Sequence, residues 1–497
     1  MDVRNIIPKR VAPWIVVFFA ADILSLAAYT IPSLRVLFFI IAAASILCLF
    51  FMDRRWLLFL PLAELMWGSF GSSFSWDIGG FRLSMRMLIF ILAIGAWLGL
   101  SGVRSSIDLL RRNAFISGLF VSLVFITVWG FSIGLRAARP LSDVFLDGNA
   151  YLYLAYFPVW LFAYRREDLA FIRALAVGAA IATALKTLIL FHLFANAYET
   201  WNIPYLYLWV RDTRIGELTL VGETLWRIFI QSQVFVGVVM VQSLLLLVWR
   251  GVSQRRLAAL ILCSAAILAS FSRSYWLGAL AAVVLFFVFF GRQVIRNCGM
   301  AAKRVGIVMA GGVAAVLLLM LLAILPYGGT GLSASLSARI TSVSEPAVSS
   351  RLQLLRPLMS AIRVHPIIGS GFGASVSYRS DDPRTKNALN PSGTVTTYAF
   401  EWGYLDQWLK LGLIGGVVYL GVLLGLLYRG WRMVRANPGS SEISVMLLTG
   451  LAFIMIVHSA SPYLNHPLGL GYLMLTMLVL GGKVNTDEKS NYQPRYL

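Results

Sequence analysis

Apolar residues fill this chain in long blocks separated by short polar clusters. The blocks are about 18–22 residues long, the length an α-helix needs to cross a hydrocarbon core of roughly 30 Å. In hydrocarbon, every backbone N–H and C=O must be satisfied within its own segment, so helices are the expected element. The pattern predicts fourteen spans, near 13–30, 34–52, 56–70, 84–101, 114–134, 149–163, 171–195, 228–249, 257–271, 274–290, 305–326, 404–428, 443–460 and 466–481. No repeat of 20–50 residues is visible. The expected fold is all-α and polytopic: an N-terminal bundle over 1–326, a long loop over 327–403, and C-terminal membrane helices with a short tail over 404–497.

Two stretches break the block pattern. "NIPYLYLWVRDTRIGELTLVG" (202–222) alternates, with Tyr205, Tyr207 and Trp209 on one face and Leu206, Leu208 and Val210 on the other. It predicts a short amphipathic hairpin at the membrane interface, where aromatics form belts. The loop 327–403 is far longer than an ordinary connection, and ordered loops of that length are usually functional.

Composition agrees with the pattern. Hydrophobic residues make up 59% of the chain and charged ones 13%, and the mean hydropathy is +0.78. The net charge of +20 would suit a nucleic-acid binder, but the charges fall in short clusters between apolar blocks. That placement is an orientation signal. Arg54/Arg55, Arg104/Arg111/Arg112, Arg165/Arg166/Arg173, Arg250/Arg255/Arg256, Arg292/Arg296/Lys303/Arg304 and Arg429/Arg432/Arg435 all fall in alternate short loops. With the N-terminus inside, every one of those loops is cytoplasmic. The basic N-terminal stretch then leads into an uncleaved first helix. Cys48, Cys263 and Cys298 have no paired spacing and suggest neither a zinc site nor a disulfide framework. Asp22, Glu64 and Lys186 lie inside apolar runs, where charges are costly unless paired.

Three segments therefore carry arginine on the outer side, where orientation does not ask for it: 196–227, the turn 272–274, and the loop 327–403. Three stretches among them form a pattern: "SRSYWLG" (272–278), "SSRLQLLRPLMSAIRVHPIIGSGFGAS" (349–375) and "EWGYLDQWLKLGLIGG" (401–416). In this order they resemble the O-antigen ligase and polymerase superfamily of membrane glycosyltransferases. That family has Ser-Arg at an outer helix hairpin, a helix opening on Arg and closing on His-Pro-x-x-Gly-x-Gly, and a segment ending in Gly-Leu-Ile-Gly. The resemblance covers roughly 220–420. It implies a GT-C-like, metal-independent transferase with no cofactor, taking glycan from a polyprenyl diphosphate carrier at the periplasmic face of a bacterial inner membrane. One position departs from the ligase pattern: eleven residues before Gly412, where ligases carry His, stands Glu401. The departure favours the polymerase branch over the ligase branch.

Such a reaction displaces a diphosphate from an anomeric carbon, and fixed cations aimed at the growing charge are the largest catalytic term. Arginine suits the task because its planar fork binds phosphate bidentately and keeps its charge. Arg227, Arg273 and Arg351 are the candidates, with Arg227 expected to open the helix "RIFIQSQVFVGVV". At 100° per residue, Arg356 and Arg363 lie within about 20° of each other and roughly 120–140° from Arg351, so they form a separate wall. All of these arginines have an alternative role, snorkelling to lipid headgroups. Glu401 is the candidate general base; the alternative is that it complements a helix dipole. Asp406 is the second candidate acid. His365 and Tyr404 are candidate substrate contacts, although His-Pro also simply ends helices. Gly369, Gly371 and Gly373 form no dinucleotide site, because no strand precedes them; the expectation is a tight backbone turn near substrate. Asp381-Asp382 reads as a solvated acidic pair rather than a metal site.

The expected partners are lipid-linked oligosaccharide, membrane lipid and other polysaccharide-assembly membrane proteins, with no nucleic acid. A flippase for the same lipid is the competing class. Transporters tend to show halves related by a repeat, and none is visible, while the unexplained arginines gather on one side.

Overall fold

The computed structural model describes residues 11–69, 71–196, 203–221, 225–295, 298–325, 346–380, 386, 390–436 and 442–481. Asp381-Asp382, the N-terminal basic stretch and the first part of the long loop lie outside these residues.

Among the described residues the chain is a helical bundle with three small hairpins. Helices α1 (Val11–Thr30), α2 (Pro32–Met52) and α3 (Trp56–Trp67) lead to the hairpin β1 (Ser75–Ile78) and β2 (Phe81–Ser84). Helices α4 (Met85–Gly99), α5 (Gly102–Arg112), α6 (Ala114–Arg136), α7 (Leu141–Gly148), α8 (Tyr156–Ala163), α9 (Leu169–Asn196) and α10 (Ile203–Asp212) follow. A second hairpin pairs β3 (Gly216–Val221) with β4 (Leu225–Ile230). Then come α11 (Gln233–Arg250), α12 (Gln254–Ala269), α13 (Arg273–Ile295), α14 (Cys298–Ile324) and α15 (Pro346–Val364). The last hairpin, β5 (Val376–Arg379) with β6 (Thr394–Thr397), precedes α16 (Gly403–Ala436), α17 (Glu442–His458) and α18 (Pro467–Gly481).

This is a polytopic α-helical membrane protein. Among the described residues, seven helices, α1, α2, α6, α9, α11, α14 and α16, are long and apolar enough to cross a hydrocarbon core. The expected run 56–70 stops early because Gly68 adopts a left-handed conformation (φ 79°) that ends α3 after twelve residues. The expected run 149–163 is a 3-10 turn (Asn149–Ala155) followed by α8, packed inside as an aromatic cluster of Tyr153, Tyr156 and Trp160. A window of apolar residues this short does not distinguish a buried core piece from a span. The run 84–101 bends by 85° into the amphipathic α5.

The interior charges pair. Lys186 Nζ lies 2.9 Å from Asp22 Oδ1, which also accepts from Trp67 Nε1 at 2.8 Å. Glu64 accepts from Arg86 Nε at 2.9 Å. Buried charge without such partners would cost several kcal/mol or more.

Contacts sort the loops into two ends. At one end, Arg55 pairs with Asp168 (3.6 Å), Glu442 lies between Arg173 and Arg250 (3.7 and 3.4 Å), Arg304 donates to the Trp249 carbonyl, and Asn113 donates to that of Gly481. These are the basic loops. At the other end, Tyr29 meets Asp212, Arg227 meets Ser270, and Arg139 reaches Gly371.

Candidate functional site

The tip of the α12–α13 hairpin is built by serines and one strained residue. Phe271 has φ 48°, which turns the chain back sharply. Ser270 Oγ caps the Ile267 carbonyl at 2.6 Å and accepts from Ser272 N, while the Ser272 and Ser274 hydroxyls bond at 3.0 Å. Arg273 is the first residue of α13 and is exposed at this tip.

Arg227 does not open a helix. It lies in β4 opposite Thr219, and α11 begins only at Gln233. The strand alternates, with Ile228 and Ile230 fully buried, so Arg227 is aimed to the other face. Its Nε donates to the Ser270 carbonyl at 3.0 Å, and its guanidinium lies 5.1 Å from the centre of the Phe229 ring. Arg227 thus reaches the hairpin tip that carries Arg273. The stretch 203–212 differs too: it is the helix α10, with Trp209 buried and donating to Ser25 Oγ, while Tyr205 is exposed.

Helix α15 lies along the same end. Leu354, Leu358 and Ile362 recur every fourth position and bury against Ala374, Val376, Phe400 and Leu409. Arg356 and Arg363 are exposed on the opposite face. Arg351 flanks the buried stripe, and its guanidinium forms an ion pair with Glu401. Trp402 Nε1 donates to the Arg351 carbonyl at 3.3 Å, so two contacts dock the start of α16 onto α15. Both ends of the ion pair remain partly exposed, at 38% and 53%. Tyr404 donates to the Met455 carbonyl (2.8 Å) and packs edge-on against His458.

The α15 helix stops at Val364, and His365 is exposed. The segment after it runs as a strap through a break in α16. At that break Gly412 has φ 68°. In a continuous helix, Leu413 and Ile414 N–H would bond to the carbonyls of Leu409 and Lys410. Instead those carbonyls accept from Ser370 N (2.7 Å) and Gly371 N (2.8 Å), while Leu413 and Ile414 donate to the Pro366 and Ile367 carbonyls (2.9 and 3.2 Å). Two donors and two acceptors released by the break are all satisfied by the strap, as buried backbone groups must be. Backbone crosses backbone here, so a Cβ on Gly412 would lie 2.2 Å from the Ile367 oxygen, and one on Gly371 would lie 2.2 Å from Gly134 N. Gly369, Gly371 and Gly373 are buried in this crossing. Trp129, Arg139 and Trp408 donate to its carbonyls at Ile368, Gly371 and Pro366.

Behind the strap lies a buried charge network. Lys410 forms ion pairs with Asp147 and with Asp406, the latter at 2.5 Å. Asp147 also accepts from Gly373 N (2.8 Å), and Asp406 accepts from Asn465 Nδ2 (2.6 Å), whose amide oxygen accepts from Tyr151. All three charged side chains are at most 6% exposed. Asp406, the second candidate acid, is held by this network. Asp147 and Lys410 were not among the sequence candidates. Lys410 carried a signal, a lysine four residues after an aspartate inside an otherwise apolar helix; Asp147, in a different helix, carried none.

Residues 258–420, about a third of the chain, match the family model described as O-antigen ligase. No curated protein matches the chain. The matched segment holds Arg273, Arg351, the strap, Glu401 and the Gly412 break, while Arg227, Arg139 and Asp147, which reach the same elements, lie before it. The similarity to the O-antigen ligase family is thus one of residues 258–420, the segment that carries these elements.

Proposed function

We propose that this protein is a glycosyltransferase that polymerises polyprenyl-diphosphate-linked oligosaccharide units on the periplasmic face of a bacterial inner membrane. The observation that carries this reading is the Arg351–Glu401 pair at the same end as Arg227 and Arg273. With the basic loops facing the cytoplasm, these residues face the periplasm.

In this reading the donor diphosphate lies against Arg273, Arg227 and Arg351, with its lipid tail between helices. The acceptor hydroxyl gives its proton to the Glu401 carboxylate as its oxygen bonds to the anomeric carbon. The bond from that carbon to the diphosphate oxygen breaks, the carbon inverts, and the arginines take up the charge on the leaving group. The Arg351–Glu401 contact is a half-exposed ion pair, a class worth about 0–1 kcal/mol. A multiply charged diphosphate can displace it, which frees the carboxylate to act as base. Arg356 and Arg363, on the outer face of α15, contact lipid phosphate, and His365 and Tyr404 line the rim. Asp147, Lys410 and Asp406 hold the first turns of α16, and with them Glu401. The chemistry as drawn asks for no metal or cofactor.

A second reading, transfer of the glycan to a lipid A core, is favoured by the description of the matching family. Purified protein given synthetic polyprenyl-diphosphate oligosaccharide tests both. Chain extension supports the polymerase, transfer to an added core acceptor supports the ligase, and no glycosyl transfer in either assay refutes the enzyme reading.

A further inference from the structure

At the basic end, away from the arginines above, helices α3, α9, α11, α12, α17 and α18 surround a partly open cavity of about 100 Å³. Its long axis follows α11, whose lining runs from Phe235 to Leu246. At 1.5 Å per residue that is roughly 16 Å, about half of a hydrocarbon core of roughly 30 Å. The slot therefore has the length of one leaflet. Its wall is almost wholly apolar, including Phe235, Val239, Leu447, Leu475 and Val479.

The polar groups gather at the basic mouth. Arg173 and Arg256 line it, and Glu442 sits beside Arg173 and Arg250. Arg256 is 4% exposed and donates through Nη1 to the Gly251 carbonyl, but its Nε meets no acceptor among the described residues. Glu442 is equally buried, and neither of its oxygens accepts a hydrogen bond among the described residues. Buried polar atoms are normally satisfied. An anion bearing a hydroxyl donor would complete both Arg256 and Glu442, its charged oxygen accepting from Arg256 Nε and its hydroxyl donating to Glu442.

We propose that this slot binds one glycerophospholipid with an anionic, hydroxyl-bearing head. One acyl chain lies along α11, the phosphodiester sits at Arg256, and the head hydroxyl faces Glu442. Basic pockets between membrane helices bind anionic headgroups in this way. The site lies at the opposite end from the proposed chemistry and does not depend on it.

The test uses full-length protein, purified in neutral detergent and stripped of lipid, with binding followed by titration and by the thermal midpoint. Phosphatidylglycerol should raise the midpoint and bind at least tenfold more tightly than phosphatidylcholine of the same chains, since a charge-assisted hydrogen bond to a buried arginine is worth roughly that much. Inorganic phosphate should give no shift. Arg256→Gln should erase the preference between the two lipids, and Ala176→Phe, which fills the slot, should weaken both. Arg256→Lys, which keeps the charge, provides a folded comparison and should retain part of the preference. Equal binding of the two lipids by the wild type would overturn the proposal. So would a shift with phosphate alone, which marks a soluble-anion site, or unchanged phosphatidylglycerol binding by Ala176→Phe.

Discussion

Lys410→Met tests the buried network behind the strap. The substitution keeps the apolar stem and removes the ammonium shared by Asp147 and Asp406. Asp147 keeps only the Gly373 N–H and Asp406 only the Asn465 amide among their hydrogen-bond donors in the described residues. Removing one partner of a buried ion pair costs about 3–5 kcal/mol. That is a large share of a typical stability of about 5–15 kcal/mol. The predicted loss is thus about 4 kcal/mol, read as a lowered thermal midpoint in detergent. The triple variant Lys410→Met/Asp147→Asn/Asp406→Asn removes the orphaned charges while leaving oxygens to accept from Gly373 and Asn465. It should regain most of the loss. A Lys410→Met protein within about 1 kcal/mol of wild type, or a triple variant no more stable than the single, would refute the view that burial and mutual pairing hold these elements together.

Four further predictions follow from the same geometry. Gly412→Ala should abolish folded protein, since its Cβ would meet the Ile367 oxygen at 2.2 Å, whereas Gly416→Ala, with nothing within 4 Å, should be tolerated; equal yields of the two would contradict the strap crossing. Glu401→Gln should cut turnover by roughly 10²–10⁴-fold while pyrophosphate affinity holds or rises, because Arg351 loses its competing carboxylate; normal turnover removes Glu401 as base. Arg273→Lys should lose on the order of 10²-fold in activity, and near-normal product from Arg273→Ala at normal protein level would return this residue to headgroup contact. Cysteines placed at 104 and 432 should resist impermeant thiol reagents in intact cells while one at 392 labels; the reverse pattern would move the candidate site to the cytoplasm.

Membrane character and the clustering of the basic loops were legible in the sequence, because both are one-dimensional properties. Block length reports hydrocarbon thickness, and charge clusters mark loop ends wherever the helices then pack. The exposed face of Arg356 and Arg363 and the separate direction of Arg351 followed from helical period alone. So did the stop at Val364, from the proline after His365. Tertiary structure decided what period and length leave open. Residues 225–230 are as apolar as a helix and form a strand; 149–163 is as apolar as a span and is a buried aromatic core. In each case neighbours, not local pattern, selected the conformation. The glycines of "GSGFG" and of "GLIG" each suggested a tight turn, but only the fold shows that one set crosses the other and repairs its broken hydrogen bonds. Asp147 and Lys410 lie 263 positions apart, and Asp22 and Lys186 lie 164 apart, and no sequence pattern encodes those meetings. A charge can be buried only where a partner of opposite sign already waits, and packing alone decides which partner that is.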